Sequence, residues 1–246
     1  MDTERQKNLW DERQLKRAKD EGYKSNRRRL ETIVAAINKL AGSRDRSRCR
    51  VLNIGTGDAR LEGMLRDCGY DVYVLDPSQD IVDFVREKYD MDESKARCGW
   101  SQDIPFDSDS FEFVIMTEVV EHLDVDVMNQ TFEQIQRVLV DGGHLVGTVP
   151  DNEDLKLNSY RCLHCGKFAH RVGHEQTFTV SSLRAELDKY FRVEEIRSIR
   201  GMYMNWKGII YHHWIDLPYK AARILRPDVR APHQIVFNIF FVVRNP

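Results

Sequence analysis

Val51-Leu52-Asn53-Ile54-Gly55-Thr56-Gly57-Asp58-Ala59 is the stretch whose reading decides the fold. A short apolar run predicts a buried strand over Val51–Ile54. The glycine-rich turn after it lets backbone come close to a ligand, and small Ala59 lets the following helix pack near the strand. Taken alone, such a turn also serves NAD sites and plain tight turns. A second feature narrows it: Asp76 closes the next predicted strand, Asp71–Leu75, 19 residues beyond Gly57. A carboxylate there can accept both hydroxyls of a ribose. Together the two features imply a nucleoside cofactor.

Outward from that turn, strand and helix alternate. Helices are predicted over Leu30–Leu40, Ala59–Cys68, Ser78–Tyr89, Val127–Leu139 and Ser181–Tyr190. Further strands are predicted over Lys95–Cys98, Phe113–Met116, His144–Thr148 (entered through an Asp141-Gly142-Gly143 turn), Phe191–Arg197 and Ile235–Val243. This order predicts an α/β fold, a Rossmann-like seven-stranded mostly parallel sheet with helices on both faces. The chain reads as one domain, 1–246. Residues 1–29 form a charged arm, 151–179 a Cys/His-containing insertion, and 201–232 a lid-like insertion.

Composition sets the remaining bounds. Hydrophobic residues make up 41% and charged residues 31% of the 246 positions, as in ordinary folded domains. A formal net charge of −2 creates no global field for nucleic acid or an acidic membrane, which disfavours nucleic acid as a partner while leaving local basic patches open. The charged start lacks a secretory apolar stretch, and five cysteines are an odd number, so reduced thiols and a cytoplasmic location are expected.

Further motifs follow in order: Asp103-Ile104-Pro105-Phe106, Ser110 to Val114, Glu118 to Leu123, Arg137-Val138-Leu139 with Asp141-Gly142-Gly143-His144, and Val149-Pro150. From about Arg50 to Phe191 the chain resembles the class I methyltransferases that use S-adenosylmethionine (SAM). An NAD-dependent oxidoreductase does not suit the motifs after Asp103. The resemblance implies that Gly55, Thr56 and Gly57 hold the methionine part and that Asp76 with Pro77 holds the ribose. It places Gly99, Trp100 and Ser101 along the adenine, with Asn53 and Thr117 completing the cofactor set. Two positions depart from the family. Asn53 replaces the usual acid near the methionine ammonium, so that contact should be weaker or supplied elsewhere. Trp100 replaces a frequent aspartate, and either stacks on the base or is a buried core residue.

Glu118, Glu121 and His122 follow the fourth strand at the sheet's carboxyl edge, where open α/β sheets place their ligands. Their E-x-x-E-H order resembles two metal-dependent methyltransferase subgroups, one acting on catechol-like intermediates and one on the 2′-hydroxyl of small RNAs. The latter uses a later histidine, for which His174 stands in a similar place. Glu118, Glu121, His122 and His174 are therefore one candidate set for a divalent metal. In the alternative Glu121 and His122 only shape the pocket. A competing set for structural zinc is Cys162, Cys165, His170 and His174, since Cys-x2-Cys followed by histidines can supply tetrahedral ligands. His174 cannot easily serve both.

Residues 201–232 mix Tyr203, Trp206, Tyr211 and Trp214 with Lys207, Lys220 and Arg223. That suits a lid over an apolar acceptor, a helix on a membrane surface, or an amphipathic helix packed on the core. Methyl transfer needs a base only when the acceptor carries a proton, and His122 and His174 are the candidates. The leading expectation is a SAM-dependent methyltransferase acting on a small molecule, on oxygen. The alternatives are a metal-using RNA 2′-O-methyltransferase and a non-catalytic partner subunit that keeps the fold.

Overall fold

In the computed structural model the described residues are 27–156, 159–161, 168–170, 172–200 and 237–246. Arg27–Ala41 forms helix α1, whose Leu30, Ile33, Val34 and Ile37 face the core at helical spacing. The helix thus starts three residues inside the segment expected to be an arm, because Arg27, Arg28 and Arg29 extend it by most of a turn; the rest of the arm lies outside the described residues. Then follow β1 (Arg50–Ile54), α2 (Arg60–Asp67), β2 (Asp71–Asp76), α3 (Gln79–Tyr89), β3 (Ala96–Cys98) and β4 (Phe111–Thr117). Beyond them come α4 (Val125–Val138), β5 (Leu139–Pro150), β6 (Ser159–Arg161), β7 (Phe168–His170), α5 (Val180–Leu187), β8 (Arg192–Arg200) and β9 (Phe237–Arg244).

Seven strands join in the order β3-β2-β1-β4-β5-β9-β8, with β9 antiparallel to both neighbours and the other pairs parallel. Successive side chains on a strand point to opposite faces, and the core divides accordingly. Leu52, Leu75, Val114, Met116 and Phe241 pack with Met128, Phe132 and Ile135 of α4 and Leu183 of α5. Val51, Val74, Phe113, Ile115 and Phe240 pack on the other face with α1, α2 and α3. Each fully buried Phe or Ile contributes roughly 1.5–3 kcal/mol of transfer free energy. The expected sheet with helices on both faces is what the chain builds.

Two local devices set helix starts near the sheet's carboxyl edge. Ser78 caps α3 through its hydroxyl to the Ile81 amide, and Asp124 caps α4 through its carboxylate to the Val127 amide. The expected Asp141-Gly142-Gly143 turn lies inside the bounds of β5, where Gly142 has φ +70° and the register to β4 shifts between Phe111 and Phe113. The insertion 151–179 contains a feature the sequence did not disclose: β6 and β7 pair as an antiparallel two-stranded sheet. Among the described residues no helix is long and apolar enough to cross a membrane. The aromatic segment 201–232 lies outside the described residues.

Candidate active site

The carboxyl ends of β1, β2 and β4 converge on the glycine turn. Gly55 has φ +81° and Gly57 +60°, and a Cβ added to Gly55 would stand 2.5 Å from Val119 Cγ2. The turn is held from β2: the Asp76 carboxylate accepts from the Thr56 amide at 2.8 Å through Oδ2 and from the Ser78 amide at 3.0 Å through Oδ1. An acid expected to meet a ribose therefore also braces the loop that would meet the methionine end. Pro77 is half-buried, and its carbonyl accepts from the Cys98 thiol at 3.4 Å.

Asn53 is buried, and its side chain leads to a residue the sequence reading missed. Its Nδ2 donates to Glu62 Oε1 at 2.6 Å. Glu62, on α2, is fully buried, and burial pushes its carboxyl up to about 7. The only sequence signal was an acid on the inward face of an amphipathic helix. Because the folded-state value is raised, the unfolded chain loses this proton first. The group therefore destabilises the fold progressively as pH rises from the ordinary carboxyl range through about 7. Asn53 Oδ1, Thr56 Oγ1 and Glu62 Oε2 have no hydrogen-bond partner among the described residues. Buried acceptors without donors are costly unless a ligand supplies the donors. A cluster of them around a loop at positive φ fits a ligand carrying an ammonium and hydroxyls.

The adenine-side candidates divide. Trp100 is 42% exposed, so the buried-core alternative is wrong. Ser101 is buried, and its hydroxyl shares a 2.9 Å hydrogen bond with Thr131 of α4, which ties it to the scaffold. Gly99 donates its amide to Asp76 O at 3.1 Å, joining the segment after β3 to the end of β2. Thr117 ends β4 in register with Thr148.

Glu118 does not join the expected metal set. Its Oε1 accepts from Thr148 Oγ1 at 2.9 Å and its two oxygens accept from Asn238 Nδ2 at 2.8 and 2.9 Å. Arg29 Nη1 stands 3.1 Å from Oε2. The carboxylate is a strut linking α1, β4, β5 and β9. Glu121, His122 and His174, in contrast, do come together with ligand atoms within 4.8 Å of one another. Both Glu121 oxygens are buried without a hydrogen-bond partner among the described residues, and burial, then the Glu118 charge, raises its carboxyl pKa. Burial, followed by the nearby His174, pushes His122 down to about 3, so it is a neutral imidazole near pH 7.

The hydrogen bonds fix which ring nitrogens carry protons. His122 Nδ1 lies 3.1 Å from the Gly173 carbonyl, which can only accept, so Nδ1 carries the proton. His174 Nδ1 is bonded to the Glu153 carboxylate, and Nε2 faces Glu121 Oε1 at 3.9 Å. His174 Nε2 therefore belongs to the Glu121 side. The second grouping, Glu153 with His170 and His174, fails the same test. His170 Nδ1 accepts the His174 amide at 3.0 Å, which leaves Nε2 carrying a proton, 3.6 Å from Glu153 Oε1. The zinc expectation at Cys162 and Cys165 lies outside the described residues.

A family model described as a methyltransferase domain matches residues 23–193. An uncharacterized methyltransferase of Staphylococcus carnosus is 30% identical over 110 residues, 45% of this chain and 50% of that protein. The chain thus matches about half the length of that curated relative. A Burkholderia thailandensis 1,6-didemethyltoxoflavin-N1-methyltransferase, solved with bound 1,6-didemethyltoxoflavin and S-adenosylhomocysteine, superposes with TM-score 0.57 at 13% identity, covering 87% of this chain and 77% of that one. A SAM-dependent methyltransferase of Methanosarcina mazei gives TM-score 0.53 at 16% identity, covering 79% and 91%.

Proposed function

The chain belongs to the methyltransferase-domain family, of the class I SAM-dependent fold, and from that premise we propose that it transfers a methyl group from SAM to a small-molecule acceptor, on oxygen. When bound, SAM supplies a methyl group already activated on a sulfonium, so the protein's work is alignment and exclusion of water. The glycine turn and Asp76 hold the nucleoside end at the carboxyl edge of β1 and β2, and Trp100 offers a stacking face.

The observation that carries the oxygen reading is the Glu153–His174 pair. A carboxylate that fixes Nδ1–H leaves Nε2 as a base, beside neutral His122, at the edge where an acceptor hydroxyl must shed its proton. The aromatic content of 201–232 supports an apolar or planar acceptor. The test is a methyl-transfer assay with labelled SAM against matched hydroxyl and amine acceptors. Turnover is expected on hydroxyls, and His174→Ala should lower kcat about hundredfold with SAM affinity nearly unchanged. Turnover confined to amines, or full activity in that variant, would overturn the oxygen reading.

A second reading is favoured by Glu121, whose two buried oxygens have no hydrogen-bond partner among the described residues and which stands with ligand atoms of His122 and His174 within 4.8 Å of one another. One carboxylate and two imidazoles suit a divalent transition metal better than Mg²⁺, and the Gly173 and Glu153 contacts are the orienting partners such ligands need. This would join the chain to the metal-using methyltransferases, RNA 2′-hydroxyl enzymes among them, although the net charge of −2 weighs against an RNA substrate. Under this reading about one equivalent of metal should copurify, and Glu121→Gln should remove it without loss of SAM affinity. Metal-free protein that is fully active rejects it. A folded protein that binds no SAM would instead favour a non-catalytic partner subunit.

A further inference from the structure

Glu62 has no part in the expected site, yet it is the fully buried acid nearest to the glycine turn's own strand. Helix α2 carries it inward against β1, where Oε1 takes the Asn53 amide hydrogen. That bond decides the orientation of the Asn53 amide: Nδ2 points to Glu62, so Oδ1 is the atom turned away from it. Oδ1 and Glu62 Oε2 are then two buried acceptors with no hydrogen-bond donor among the described residues. The other described groups whose charge reaches Glu62 are Asp58 from the turn and Asp76 from the end of β2, both acidic. Asp58 is in turn 3.7 Å from Arg60, and Glu62 acts on the Tyr89 phenol at the end of α3. The arrangement is electron-rich and short of donors at the place where a ligand's amino-acid end would lie.

Resting on the SAM reading above, we propose that Glu62 is a positioning residue for the cationic end of the cofactor: it fixes the Asn53 amide and ionises as the cation docks, so that binding releases the Glu62 proton. The carboxylate that Asn53 lacks is supplied one layer back, through the asparagine. Neutral Glu62 suits the ligand-free protein, because a bare carboxylate in that acidic, buried place has nothing to balance it. A docked ammonium and sulfonium reverse that preference.

Linkage sets the expected size. With the free-state carboxyl near 7, SAM affinity should rise about tenfold between pH 6 and pH 8, as the proton to be displaced is progressively lost to solvent. Titration calorimetry of SAM in buffers of different ionisation enthalpy should show close to one proton released at pH 6. Glu62→Gln keeps the shape and the Asn53 contact and mimics the protonated acid. Its SAM affinity should be flat with pH, so that its shortfall against wild type grows about tenfold from pH 6 to pH 8, and it should show no proton release from this position. 5′-Methylthioadenosine, which has the nucleoside but no amino-acid end, should bind both proteins alike at either pH.

SAM binding that is flat from pH 6 to pH 8 in wild type, or identical in Glu62→Gln at pH 8, overturns the proposal while the cofactor reading stands. Failure of folded wild type to bind either SAM or 5′-methylthioadenosine overturns both. If Glu62→Gln does not fold, the wild-type proton count decides alone.

Discussion

Asp76→Ala is expected to weaken SAM binding about hundredfold or more. The substitution removes the carboxylate that accepts from the Thr56 and Ser78 amides, and with it the group proposed to take the ribose hydroxyls. Hydrogen bonds to a charged group are worth roughly 1.5–3 kcal/mol each. Losing one such contact to the ligand and loosening the turn that receives it removes about 3 kcal/mol, which is about a hundredfold in Kd. Asp76→Asn separates the two contributions. Its one carbonyl oxygen can still accept one amide, but its NH2 group faces the other, so it should fall between wild type and alanine. Calorimetry, with circular dichroism to show that the variants are folded, reads the result. Affinity within threefold of wild type in Asp76→Ala would remove Asp76 from the cofactor site.

Gly55→Ala should be the most damaging one-carbon change in the turn. Two terms add: the residue sits at φ +81°, and the new Cβ would lie 2.5 Å from Val119 Cγ2. The left-handed backbone costs an L-residue about 1–2 kcal/mol. The overlap cannot be relieved by a long flexible side chain, because Val119 is β-branched and stiff at χ1. Gly42→Ala is the matched control, with φ +58° and nothing within 4 Å of the added carbon. Thermal melts should place Gly42→Ala a few degrees below wild type and Gly55→Ala clearly lower, with roughly 2–4 °C per kcal/mol for a chain of this size. SAM binding should survive in the first and be lost in the second. Equal behaviour of the two variants would show that the Gly55–Val119 approach is not needed.

Much of the fold could be read along the chain because its signals are local. The apolar runs at Val51–Ile54, Asp71–Leu75 and Phe113–Met116 each lie within a strand of the structure, and the helical spacing of Leu30, Ile33, Val34 and Ile37 marks the inner face of α1. The helix start was missed because three arginines give no apolar period, although they are good helix formers. The β6–β7 hairpin was missed because strands of three residues are too short to show alternation. The Gly55–Gly57 turn and Asp76 were legible as a pair because strand, turn and strand fix their separation.

The sequence by itself determined the fold class, the glycine turn after the first strand and the acid that braces it, since each depends on residues close in the chain. Tertiary structure decided the rest. It turned Glu118 from a ligand candidate into a strut, because its partners Arg29, Thr148 and Asn238 come from three distant elements. It brought His174 and Glu153 to Glu121 and His122, and through Gly173 and Glu153 it chose the tautomers. It also set Glu62 against Asn53, where burial rather than residue type decides the charge. Hydrogen-bond partnership and desolvation are properties of what surrounds a side chain, and for these groups the surroundings are assembled only when distant segments meet.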